Sequence, residues 1–179
     1  MKQDCKSLVG MLAVGLLALA PVFAQSSQAN SANRMGSADE TFVTKAAQGG
    51  LAEVKLGTLA TQKAANADVK AFGQQMVDDH SKANDELKQL ASSKGITLPT
   101  DIDAKDQATY DRLSKLSRAE FDRAYMQHMV ADHHTDVAEF RHESQRGEDS
   151  DVKAWAAKTL PTLEHHLQMA ESTDAKVKK

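Results

Sequence analysis

"VKAFGQQMVDDHSKANDELKQL", residues 69–90, sets Val69, Gly73, Met76, His80, Ala83, Leu87 and Leu90 at alternating four- and three-residue steps. Such steps keep one stripe of a helix turned toward a partner, which is the seam of a rod packed lengthwise in a bundle. His80 stands in that stripe where an apolar residue belongs. Asn66 can cap the start of this helix and Gly95 can end it.

The flanking segments repeat the pattern. Ser37 and Glu40 in "SADE" read as a capping box opening a first helix that runs to about Lys63. At roughly 100° per residue, Phe42, Val43, Ala46, Ala47, Gly50, Val54, Leu56, Gly57 and Ala60 share one side. Lys45, Gln48, Lys55, Gln62 and Lys63 share the other. The glycines lower helix propensity, and close packing of a neighbouring helix is the use that compensates. Leu51 and Leu59 fall outside the apolar arc.

"GITLPT" at 95–100 breaks the chain, and a shorter helix over 104–116 brings Leu113 and Leu116 to an open end of the core. Ser117 with Glu120 reads as a second capping box, starting a third long helix to about Arg146. Its arc holds Phe121, Tyr125, Met126, Met129, Val130, Val137 and Phe140, and Gly147 stops it. A fourth, from about Ser150, carries Val152, Trp155, Ala156, Leu160, Leu163, Leu167 and Ala170, with a kink or restart expected at Pro161. Short connections at 64–66 and 147–150 make each pair antiparallel neighbours. The fold class is therefore all-α: an antiparallel four-helix bundle over 37–173, with a short extra helix between the second and third long ones. The basic end, 174–179, reads as a frayed tail.

The opening "MKQDCKSLVGMLAVGLLALAPVFA", residues 1–24, reads as a secretory signal peptide: Lys2 and Lys6, then the apolar run Leu8–Ala20, then Val22-Phe23-Ala24 before the cut. That run has 13 residues, and a bilayer span needs about 20, so no membrane span is expected after cleavage. Residues 25–36, "QSSQANSANRMG", read as a flexible leader. The one cysteine, Cys5, goes with the signal, which removes disulfide and thiolate chemistry from the mature chain. The remainder carries a formal charge of −4, and that mild acidity argues against a nucleic-acid partner.

Each long helix also carries one ionisable residue inside its apolar arc: Glu53, His80, His133 and His166. His128, His134, His142 and His165 project toward polar sides. Counted along the helices from the nearer turn, Glu53 and His80 lie at roughly 18 and 22 Å, and His133 and His166 at roughly 22 and 27 Å. One residue from every rod at a common level is what a bundle-core metal site needs. The set suits Zn²⁺, Cu²⁺ or Fe²⁺, with Asp79 and Asp136 placed to orient an imidazole from behind. The plainer alternative is a polar cluster that satisfies itself by hydrogen bonds and fixes helix register. A ferritin-type di-iron site needs Glu-x-x-His on two helices. The only such spacing, Glu139 to His142, faces away from the arc.

Segments 42–91, 121–140 and 156–171 together resemble the ferritin-like domain-of-unknown-function family 4142, over residues 40–172. Its motifs are matched by Glu53, by Asp79-His80, by Phe121, Asp122, Tyr125 and His133, and by Leu160, Pro161, Leu163 and His166. The resemblance implies a ferritin-like bundle in an exported bacterial protein, periplasmic or secreted, with an outer-membrane label common in the family; it implies no reaction. Three functions then compete. The first is a bundle that stores, buffers or senses a transition metal, in a stress-related role. The second is a non-catalytic envelope protein whose apolar patch at Leu51, Leu59 and 104–116 meets another protein or a second copy. An enzyme is the weakest, because no nucleophile–base set, phosphate loop or nucleotide fingerprint is present.

Overall fold

The computed structural model describes residues 36–178. The expected signal peptide and all but the last residue of the leader lie outside them. The described residues form five helices and no strand: α1 Ser37–Lys63, α2 Ala67–Ser93, α3 Ala104–Ser114, α4 Arg118–Arg146 and α5 Ser150–Val177. None is long and apolar enough to cross a membrane.

Caps set most of these boundaries. Asn66 Oδ1 accepts from the N–H groups of Asp68 and Val69 at the start of α2. Asp103 does the same for α3, and Asp149 for α5. At the end of α2, Gly95 takes φ +70°, Ile96 N–H reaches Ala91 O and Gly95 N–H reaches Ser92 O. These are the two bonds of a Schellman stop. The two expected capping boxes do not form. Gly36 occupies the cap of α1 and Ser37 is already helical. Ser117 does cap α4 by position but makes no side-chain bond, because the chain enters through Arg118 at φ +53° and the register a capping box needs is lost. Pro161 neither stops nor restarts α5.

The helices build a bundle from two hairpins. α1 packs along α2 and α4 along α5, while α2 also meets α5 and α1 meets α4. Both hairpins are antiparallel: Gly57 lies against Gly73 and Gly50 against Asn84 in the first, and Arg141 pairs with Glu164 and His134 with Glu171 in the second. A Cβ on Gly73 would stand 2.7 Å from Ala60 Cβ and 2.9 Å from Gly57 O, so the glycines do set a close approach of backbones. α3 rests on α1 and α4 and buries Leu113 in the same apolar cluster as Leu59. That explains Leu59, which no arc of α1 alone accounts for. Leu51 is half-buried beside Ile96 and Leu98 of the α2–α3 connection.

The expected frayed tail from residue 174 is instead helical to Val177. Asp174 is buried, Lys176 pairs with Asp68 of α2 at 2.8 Å, and Val177 packs on the core, so the last turn is tied down.

The two hairpins share one pattern at a constant sequence offset. Asp122 of α4 accepts from Ala65 and Asn66 N–H in the α1–α2 turn, at 3.0 and 2.9 Å. Asp39 of α1 accepts from Glu148 and Asp149 N–H in the α4–α5 turn, at 3.2 and 2.6 Å. Each hairpin thus clasps the turn of the other. The same offset pairs Phe42 with Tyr125, Val69 with Val152 and Phe72 with Trp155, all buried.

The apolar core falls into two clusters. One holds Leu56, Ala60, Phe72, Met76, Tyr125, Met126 and Met129. The other holds Phe42, Val43, Leu87, Phe140, Trp155 and Leu163. On every long helix the gap between them contains the anomalous residue: Glu53, His80, His133 or His166.

Candidate metal centre

α2, α4 and α5 each deliver one imidazole to this middle layer. His80, His133 and His166 are buried, the last two with no exposure at all. Their ring centres form a nearly equilateral triangle with sides of 5.9, 5.4 and 5.5 Å. One nitrogen from each lies within 4.8 Å of the other two. Phe72 closes one side with its ring 6.3 Å from that of His133.

Two of the rings are held from behind. His133 Nδ1 lies 3.0 Å from Met129 O, one turn earlier in α4, and so must donate to it. His166 Nε2 lies 2.8 Å from Asp79 Oδ2 and donates across from α5 to α2. Those bonds fix the tautomers. The nitrogens left over are His80 Nε2, His133 Nε2 and His166 Nδ1, and among the described residues none of the three has a hydrogen-bond partner.

Burial holds all three imidazoles neutral. It lowers His80 well below the ordinary value, and the positive charge that His133 and His166 would carry adds to this. Burial, then His166, brings His133 to about 4. Burial also lowers His166, against the pull of Asp79. With the His80 proton on Nδ1, lone pairs of three neutral rings face one buried space, an arrangement that buried polar groups tolerate poorly unless something electropositive joins it. An ion fits. At about 2.1 Å from each nitrogen it would sit about 3.2 Å from each ring centre, which sets the rings about 5.2 to 5.5 Å apart. Two sides of the observed triangle, 5.4 and 5.5 Å, fall in that range, and the third, 5.9 Å, is longer.

The fourth expected member is displaced. Glu53 is buried on α1, but its Oε1 is 3.8 Å from His133 Nδ1, the nitrogen committed to Met129. It flanks the triad instead of joining it. One of its oxygens lies within 4.8 Å of oxygens from Asp132 and Asp136. Asp136 thus stands with Glu53, not behind an imidazole as expected, whereas Asp79 does take the supporting place. Helical projection puts Glu53 and the histidines on one level but cannot say on which side of His133 a carboxylate falls.

Of the remaining histidines, His134, His142 and His165 are exposed, as their positions indicate. His128 is half-buried, and burial lowers its pKa. Sequence reading gave no structural role to the clasp residues Asp39 and Asp122, both buried, although Asp122 stands among the motif matches. The spacing Asp-x-x-aromatic at Asp39/Phe42 and Asp122/Tyr125, repeated before each hairpin, was the signal that could have found them.

The fold has solved counterparts. A crystal structure of a DUF305 fragment from Deinococcus radiodurans aligns with a TM-score of 0.71 at 13% identity, covering 80% of this chain and 99% of that one. A conserved hypothetical protein from Mycobacterium tuberculosis aligns with a TM-score of 0.59 at 15% identity, covering 78% and 92%. At these identities the likeness is one of fold alone. No curated protein matches the sequence at a significant level. The sequence profile of one family matches residues 24–173, nearly the whole chain, and on that match the protein belongs to the family described as "Domain of unknown function (DUF4142)".

Proposed function

We propose that this chain is an exported, ferritin-like antiparallel four-helix bundle that holds a transition-metal ion, Zn²⁺, Cu²⁺ or Fe²⁺, on His80, His133 and His166. The role is storage, buffering or sensing of the metal, and the reading assigns no reaction. Glu53 contributes negative charge beside His133 without ligating on the triad side. Asp79 and the Met129 carbonyl orient their rings, as supporting shells of metal sites do.

One observation carries the reading: three buried imidazoles converge from three helices, each with a nitrogen that has no hydrogen-bond partner among the described residues. Export rests on the charged start, apolar run and small-residue cut site at residues 1–24.

Elemental analysis of untagged protein, beside a His80→Ala/His133→Ala variant, tests the metal. Wild type should retain about one transition-metal ion per chain and the variant should lose it; equal content in both would end the proposal. Intact mass of the protein from the periplasmic fraction tests export, with a start at Gln25 expected.

A further inference from the structure

Beside the imidazole triad, on the other face of His133, lies a second cluster built only of oxygen donors. Glu53 comes from α1, and Asp132 and Asp136 stand one turn apart on α4. One carboxylate oxygen of each lies within 4.8 Å of the other two. Exposed acidic side chains often gather without meaning, but Glu53 is not exposed. It is 1% accessible, and neither of its oxygens has a hydrogen-bond partner among the described residues.

A carboxylate sealed in this way needs a counter-charge or a proton. Among the described residues no Lys or Arg forms an ion pair with any of the three; the nearest opposite partner of Glu53 is His133 at 3.8 Å, whose proton points to Met129. The surroundings add negative charge: Asp132 and Asp136 lie beside Glu53, and Asp106 of α3 acts on it from the same side.

We propose that Glu53, Asp132 and Asp136 form a second cation site, for a hard divalent ion of the Mn²⁺, Mg²⁺ or Ca²⁺ class. Such ions take oxygen ligands and keep several waters. Asp132 and Asp136 are half-buried, which leaves room for those waters on the solvent side. A narrow cleft lined by all four long helices passes Gly49, where a Cβ would meet nothing within 4 Å, and reaches both Asp136 and His80. The two sites differ in chemistry: nitrogen donors select borderline transition metals, whereas oxygen donors alone suit hard ones. This second site does not depend on the triad being occupied.

Mn²⁺ titration followed by loss of the free-ion EPR signal tests it on untagged mature protein. Wild type and a His80→Ala/His166→Ala variant should take up a single Mn²⁺ with similar affinity, displaced by excess Ca²⁺ or Mg²⁺. Asp132→Asn/Asp136→Asn should weaken Mn²⁺ about tenfold or more, yet bind Zn²⁺ as wild type does. Circular dichroism checks that each variant folds. Should the double variant not fold, Asp132→Asn alone, at a half-exposed position, serves with the same expectation. No Mn²⁺ uptake by wild type at millimolar concentration would overturn the proposal and leave a shared proton as the counter-charge. So would equal uptake by the Asn variants, or loss confined to the His variant. Zn²⁺ binding reports separately on the triad.

Discussion

Replacing His80 by leucine should separate a metal site from a register device in one set of melting curves. The two side chains are similar in volume, and Leu163 holds the corresponding place in the second hairpin, fully packed. In metal-free protein His80 Nε2 is buried without a partner, a burden of about 1–3 kcal/mol. Repacking a hydrophobic replacement offsets up to about 1.5 kcal/mol of that relief, leaving the variant about 1 kcal/mol more stable. For a domain of this size 1 kcal/mol moves Tm by about 2–4 °C. In the presence of chelator, His80→Leu should therefore melt about 2–4 °C above wild type. Adding Zn²⁺ at about a hundred times its Kd stabilises a binding-competent chain by about 2.7 kcal/mol. The order should then reverse, with wild type rising by about 5–11 °C and the variant scarcely moving. Calorimetry or circular dichroism at 222 nm reads both. A wild type that outlasts the variant in chelator, and ignores Zn²⁺, would refute the reasoning and leave the histidines as a hydrogen-bonded core.

Three other outcomes follow from particular contacts. Asp79→Ala removes the acceptor that fixes His166 and should lower Zn²⁺ affinity about 10- to 100-fold, measured by competition with a chromophoric chelator. Gly49→Ala, where a Cβ meets nothing within 4 Å, should stabilise by about 0.5–1 kcal/mol, whereas Gly73→Ala should destabilise by about 1–2 kcal/mol, since helix propensity recovers only part of the overpacking. Urea midpoints compare the two, and a Gly73→Ala as stable as Gly49→Ala would contradict the close helix approach. Glu143 is raised from 4.5 to about 7 by burial and then by the Asp39 charge. A carboxyl whose folded pKa is raised contributes stability that is present below its unfolded value and lost as pH rises through the folded one. Wild type should thus lose on the order of 2 kcal/mol between pH 4.5 and 7, and Glu143→Gln should flatten that slope in denaturant melts at each pH.

The bundle was legible because its signals are local. A stripe at four- and three-residue steps, Asn66 before α2 and Gly95 after it, fix a helix whatever it packs against. Helix ends at Lys63 and Arg146 follow from the same reading. The site was legible only in part. A residue's height and face can be counted along its own rod, which placed all three histidines and Asp79. What cannot be counted is rotation between rods. Whether Glu53 meets the front or the back of His133 depends on how α1 and α4 pack against each other, not on any one helix. Leu59 failed to make sense for the same reason: it is covered by α3, an element outside the four-rod picture.

The internal repeat bears on what the middle layer is for. Both hairpins need their caps and clasps, and both have them: Asn66 matches Asp149 at the turns, and Asp39 matches Asp122 across them. If the polar layer were equally a folding device, it too should recur at the constant offset. It does not. His80 corresponds to Leu163, His166 to Ala83 and His133 to Gly50. The counterparts carry no imidazole, and the space over Gly50 is filled by the Asn84 amide instead, so the repeat does not itself demand histidine at these positions. Only Glu53 has an acidic counterpart, Asp136, and the two meet in the oxygen cluster. A symmetric frame that places three histidines off the symmetry, with supporting acceptors for two of them, is better accounted for by a ligand that needs them than by the register of the helices.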